Sequence, residues 1–260
     1  MNGAIQLTAV AQSGPSFMLV LARVGGFVAA LPGIGAVPVP IQALAAVGIS
    51  AVLFPVLSLP TPPSHGVALA VGLMGESLVG LVIGLAVRAF FAAVELGSEA
   101  MGMQIGLGLA NVYDPVTSQQ ESLVGRLYGI MILVLFFVGN VHQVVLRALA
   151  DSFSKIPPLE ALMTGALAER VIRLGGDMFM LAMTISIPVT IVMLLAQLAL
   201  GMLYRVVPQL NVFLIGFPIT ISLGMIALGL SLSMVVSILE GRMEGLGEGL
   251  YGLTTLMGQQ

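Results

Sequence analysis

The sequence predicts an all-α integral membrane protein of about six long, kinked apolar helices, and three observations carry that expectation. Of its 260 residues, 58% are apolar and 8% charged, with a mean hydropathy of +1.10, whereas a soluble domain carries roughly 25% charged residues. The charges are unevenly spread: residues 24–75, 127–146, 178–204 and 206–239 contain no Asp, Glu, Lys or Arg. Each of those stretches can hold the about 20 residues that cross a bilayer core. Along them, 32 Gly and 14 Pro supply breaks and positions where helices can approach closely.

The same counts exclude several function classes. Nine basic residues against twelve acidic ones, a net charge of -3, leave no basic surface to hold a nucleic-acid backbone. Without cysteine there is neither a disulfide framework nor a thiolate metal site.

Taken in order, the first helix is expected over 15–31. Residues 1–22 hold no Lys or Arg, so this helix lacks the charged flank of a cleavable signal and is expected to stay in the mature protein. The string Leu31-Pro32-Gly33-Ile34-Gly35-Ala36-Val37-Pro38-Val39-Pro40 is a break, followed by a second helix over 41–59 and a third over 66–91. A further helical stretch over 92–110 then ends at Asn111, Asp114 and Pro115, a strong stop signal. The fourth long helix is expected over 124–146. Residues 147–177 form the one substantial polar loop, with Arg147, Lys155, Arg170 and Arg173 beside Asp151, Glu160, Glu169 and Asp177. Positive-inside bias makes that loop cytoplasmic and, by counting spans, both termini as well. Within it, Ile156-Pro157-Pro158 is a stiff turn before a short surface helix over 159–173. Two more long helices are expected over 178–205 and 210–239. The tail repeats Glu240, Glu244, Glu248 and Gly241, Gly245, Gly249 every four residues. Such a helix is weak alone and needs a neighbour to order it, or it frays.

Polar residues inside apolar spans are the candidate functional groups. Glu76 lies on one stripe with Gly72, Gly80 and Gly84; it is either an ion or proton site or, as is commoner, a carboxyl hydrogen-bonded within a helix interface. Arg88, Glu95 and Glu99 share one helix face and read as a wetted or partner-facing stripe. The Glu-x-x-His of a carboxylate di-metal site is absent, so neither a metal nor any other cofactor is expected. Catalysis is not expected either. Tyr113-Asp114 lacks the second Asp motif of an intramembrane aspartyl protease, and no Gly-x-Ser-x-Gly occurs. A secondary transporter should repeat its broken helix in both halves. Here one Gly/Pro-interrupted helix, at Gly216-Phe217-Pro218, has no counterpart in the first half.

Two strings stand out. Residues 99–120 carry Gly102, Gln104, Gly106, Leu107 and Gly108 ahead of Asn111, Asp114 and Pro115. Residues 208–224 carry Pro208, Gln209, Asn211, Val212, Phe213, Gly216, Phe217 and Pro218, ending at Gly224. Together, in that order, and with Arg23-Val24-Gly25 and the Pro-rich segment 32–40, they resemble the FliR family of flagellar type III export-gate subunits, and more loosely its injectisome counterpart. The resemblance covers most of the chain. It implies bent hairpins around a central pore, assembled with FliP and FliQ and working beside FlhB and FlhA in the bacterial inner membrane at the flagellar basal body. It also implies a FliP-like region over 1–177 and a FliQ-like hairpin and tail over 178–260. Unfolded export substrates would pass through the pore. Residues 106–120 would be its plug, with Met101 and Met103 beside it as a soft seal, and the Pro208 to Pro218 string an assembly motif. Much of the apolar surface would then meet other subunits instead of lipid.

Overall fold

The computed structural model describes residues 2–33, 37–57, 66–107, 122–159, 165–207 and 212–258. Among them the regular structure is entirely helical: α1 Asn2–Ala30, α2 Val39–Leu53 with a short 3-10 extension Phe54–Val56, α3 Gly66–Ile105, α4 Leu123–Val138, α5 Val141–Lys155, α6 Gly165–Val206 and α7 Val212–Gly258. The all-α membrane-type fold therefore stands, but several boundaries differ from those the sequence suggested, each for a local reason.

The third helix and the stretch after it are one helix of 40 residues. It contains no proline, and its six interior glycines do not end it because five of them, Gly72, Gly80, Gly84, Gly97 and Gly102, are buried against neighbouring elements. It stops at Gly106, whose φ of +96 gives the left-handed cap that glycine adopts without a steric penalty. The expected helix over 124–146 is two, α4 and α5, separated at Gly139-Asn140, where Asn140 has φ 56. Asn tolerates that conformation better than other non-glycine residues. A Gly-Asn pair inside an apolar run was thus the stop signal.

The polar loop expected over 147–177 is largely helical. Its first part completes α5, its second begins α6, and the Pro157-Pro158 turn lies between them. The separate surface helix over 159–173 merges with the following span into 42 continuous residues. An exposed Glu169–Arg173 pair at 2.6 Å sits in its first turns and adds only a few tenths of a kcal/mol, as solvated i,i+4 pairs do. The tail also stays helical, to Gly258. Its neighbour is α5: the Tyr251 hydroxyl donates to Asp151 at 2.9 Å, the Lys155 ammonium lies 4.3 Å over the Tyr251 ring, and a Cβ on Gly258 would overlap the Lys155 carbonyl oxygen.

Among the described residues, four helices are long and apolar enough to cross a membrane: α2 with its extension, α3, α6 and α7. The broken α4 and α5 pair makes a fifth if it counts as one span. The apolar part of α1, Gly14–Ala30, is shorter than these. With 40, 42 and 47 residues, α3, α6 and α7 reach about 60–70 Å, twice a bilayer core of about 30 Å.

The chain divides into two compact units. The first gathers Met1–Phe90, Asn140–Gly175 and Glu244–Gln260; the second holds Phe91–Gly139 and Gly176–Met243. In the first, buried stripes at three- and four-residue spacing run along α1 (Leu19, Val20, Val24, Phe27), α3 (Val79, Ile83, Val87) and α5 (Val145, Leu149, Phe153). The α1 and α3 backbones touch. Side chains at Gly26, Gly80 and Gly84 would collide with the carbonyl oxygens of Ser77, Arg23 and Phe27, which is the close approach that small residues permit.

A methyl group at Gly80 therefore has to part α1 from α3, whereas one at Gly75 meets open space. Gly80→Ala is expected to lose about 1–3 kcal/mol, as overpacked sites do, and Gly75→Ala to lose nothing. Thermal unfolding of the detergent-solubilised variants measures the difference, and equal midpoints would contradict the tight crossing.

Candidate functional site

The polar centre of the first unit is Arg23, fully buried on α1, facing Glu76, fully buried on α3. The close helix crossing brings the two backbones within side-chain reach. Arg23 Nε donates to Glu76 Oε2 at 2.6 Å, Nη1 donates to Ser152 Oγ at 3.2 Å and Nη2 to the Ile156 carbonyl at 2.9 Å. The guanidinium also lies 4.2 Å from the centre of the Phe153 ring, a favourable place for a desolvated cation. Glu76 uses its other oxygen, Oε1, to accept the Leu159 N–H at 3.0 Å. The Ser152 hydroxyl in turn donates a hydrogen bond to the Leu149 carbonyl at 2.6 Å. One ion pair thus joins α1, α3, the end of α5 and the turn that follows it.

That arrangement leaves Glu76 hydrogen-bonded through both oxygens inside a helix interface. The guanidinium fork is suited to the task, since it spreads its charge over several fixed donors and is less strongly hydrated than an ammonium. Of the separate charged stripe expected on this helix, Arg88 and Glu95 are exposed on α3, and Glu99 is half-buried. Glu99 lies beside the first turn of α4, close enough that a side chain at Gly125 would touch its carboxylate at 3.5 Å. Unpaired N–H groups at a helix start favour an anion there.

The second unit holds the described parts of both conspicuous strings. A Cβ at Gly102 would meet Ser122 Oγ at 2.7 Å, so the last turns of α3 touch the cap of α4. There Ser122 Oγ accepts the Gly125 N–H at 2.9 Å, the usual hydroxyl N-cap. Gly224 lies against Ile105 and Gly106 against the Phe217 ring, fixing the end of α3 on the start of α7. Gly216 is buried under the Tyr204 hydroxyl at the end of α6, and Pro218 is exposed inside the continuous α7. Met101 is buried and Met103 is 62% exposed. Leu107 is the last residue described before the gap. Gly108, Asn111, Asp114 and Pro115, like Pro208, Gln209 and Asn211, lie outside the described residues.

Sequence reasoning singled out Glu76 but not its partner. A signal was available: Arg23 and Glu76 are the first two charges in the chain, opposite in sign, and the other 74 residues before Glu76 carry none. Solitary opposite charges in apolar helices have few other ways to be satisfied. Ser152, Phe153 and Leu159 had no comparable signal, because their roles follow from the path of the chain after Gly139.

A family model described as bacterial export proteins, family 1, matches residues 15–246. The flagellar biosynthetic protein FliR of Pectobacterium carotovorum subsp. carotovorum is 34% identical over 187 residues, 72% of either chain. That of Bacillus subtilis strain 168 is 31% identical over 254 residues, covering 94% of this chain and 96% of its own. The Caulobacter vibrioides protein of the same name is 28% identical, covering 86% and 91%.

Ser152 tests the network with the least disturbance, being buried and bonded both to Arg23 and to α5 itself. Ser152→Ala leaves one guanidinium donor without its acceptor and is expected to cost about 1–3 kcal/mol. Exposed Ser154, bonded only to Asp151 within its own helix, should tolerate Ala. Unfolding midpoints of the two variants that coincide would count against the network.

Proposed function

The chain belongs to the bacterial export proteins of family 1, and from that membership we propose that it is a structural subunit of the flagellar type III protein export gate. The observation that carries the proposal is the extent of the match. It runs from residue 15 to residue 246 and so includes Arg23, Glu76, the 106–120 segment and Gly216 to Pro218. The relatives that cover it are named as flagellar biosynthetic proteins, which favours the flagellum over the injectisome.

In this role the subunit carries out no chemistry. It forms part of a pore wall in the bacterial cytoplasmic membrane at the flagellar basal body, through which unfolded flagellar proteins pass on energy supplied elsewhere. Its partners are FliP and FliQ in the gate, with FlhB and FlhA nearby. Residues 1–177 form the FliP-like region and 178–260 the FliQ-like hairpin and tail. The closeness of Tyr204 to Gly216, which sets the end of α6 beside the start of α7, supports a hairpin there.

Residues 106–120 act as the plug. Support comes from their flanks: Gly102 meets Ser122, and Phe217 and Gly224 hold Gly106 and Ile105, so the segment is attached to a fixed base. Of the two methionines beside it, exposed Met103 supplies the soft seal, its unbranched thioether adapting to different chains, while buried Met101 packs the base. Partner subunits cover part of the apolar exterior. Leu44, Val52 and Val56 near α2 and Phe179, Ile187 and Ile191 on α6 are exposed, and the charge-free part of α6, residues 178–204, is about 40 Å long, more than a bilayer core of about 30 Å covers.

Purification in mild detergent, with identification of the copurifying chains, tests the assembly. FliP and FliQ are expected in constant ratio to this chain, and a stable monodisperse monomer would overturn the proposal. Shortening 107–120 tests the plug separately: the assembled gate should leak small solutes, and unchanged membrane permeability in an assembled gate would remove the plug assignment.

A further inference from the structure

The turn after α5 is held in a conformation that its own residues do not favour. Leu159 has φ +78, where a side chain crowds the backbone and where glycine or asparagine is the ordinary occupant. The two residues before it, Pro157 and Pro158, have no N–H groups and fixed φ, so the turn has few internal hydrogen bonds with which to enforce that geometry. The Ile156 N–H closes α5 on the Ser152 carbonyl at 2.9 Å, which holds the helix end and not Leu159.

Three contacts, all from α1 and α3, hold the rest. Arg23 donates to the Ile156 carbonyl, Glu76 accepts the Leu159 N–H, and the Leu159 side chain fills the notch over Gly72 beside Leu19, where a Cβ on Gly72 would overlap it. Two of the three converge on a single ion pair. A turn that served only as a connection would gain from Gly at 159 and would need no buried charge to hold it. Backbone strain maintained by its surroundings clusters at active sites, ligand clamps and switch regions.

We propose that residues 156–159 are a sprung strap with a held and a released conformation, and that the Glu76 carboxylate is its catch. In the held state Leu159 stays left-handed, seated on Gly72. When Glu76 lets go, Leu159 returns to negative φ and its N–H turns to water, while α5 keeps its own cap.

The absence of cysteine makes Ile156→Cys a clean reporter, because Ile156, the first residue of the strap, is fully buried in the held state. Its labelling by a permeant maleimide is followed on the full chain in its native membranes. Adding Glu76→Gln should raise the rate about tenfold, since it removes the charge that binds Arg23. In chains that keep Glu76, Leu159→Ala should label about fivefold faster than Leu159→Gly, because only Ala carries the penalty at positive φ. Unchanged labelling in an assembled Glu76→Gln variant overturns the catch. Labelling of Leu159→Gly as fast as that of Leu159→Ala overturns the strain, and this pair decides the matter even where Glu76→Gln fails to assemble.

Discussion

The first unit depends on one constraint: a guanidinium and a carboxylate placed in apolar helices must find each other. Either charge alone in that interior carries a desolvation penalty of several kcal/mol. Arg23 and Glu76 offset it by their mutual attraction, at 2.6 Å with both side chains fully buried. The remaining polar atoms around them are then fixed by the need to satisfy the guanidinium donors and the carboxylate oxygen left over. Ser152, the Ile156 carbonyl and the Leu159 N–H fill those places. In this way an ion pair on two helices sets the path of a third and the shape of the turn after it.

That constraint explains why the glycines of α1 and α3 lie where they do. Burying a short, direct ion pair requires the two helix axes to be close, and Gly26, Gly80 and Gly84 remove the side chains that would prevent it. The second unit repeats the device without a charge, using Gly102, Gly216 and Gly224 against Ser122, Tyr204 and Ile105. Rigid, closely packed interiors beside long exposed apolar faces are what an export-gate subunit in the proposed role needs. The interiors keep a wall in shape while the faces accept lipid and neighbouring subunits.

The all-α membrane fold was legible because charge spacing reports burial directly: a run such as 206–239 without a charge has few homes other than an apolar helix. Helix ends were less legible. Composition marked 147–177 as polar, yet polar residues are compatible with a helix that has one wet face, as on α5, where Val145 and Leu149 are buried and Arg147 and Asp151 exposed. The tail was expected to need a neighbour; which neighbour could not be read, because the contact of Tyr251 with Asp151 spans a hundred residues of intervening chain. Glu76 was found as a charge inside an apolar helix, on one stripe with Gly72, Gly80 and Gly84. Its pairing with Arg23 and its hold on Leu159 depend on tertiary contacts that no local pattern encodes.

The central claim, that the Arg23–Glu76 pair governs the first unit, is tested most directly by a double-mutant cycle with Arg23→Met and Glu76→Leu, read from denaturant unfolding in detergent. Each single change is expected to lose about 3–5 kcal/mol, because it strands a buried charge. The double variant should lose at least about 2 kcal/mol less than the sum, the signature of direct coupling. Losses that add to within about 0.5 kcal/mol would mean that the two residues act independently, and would contradict the account.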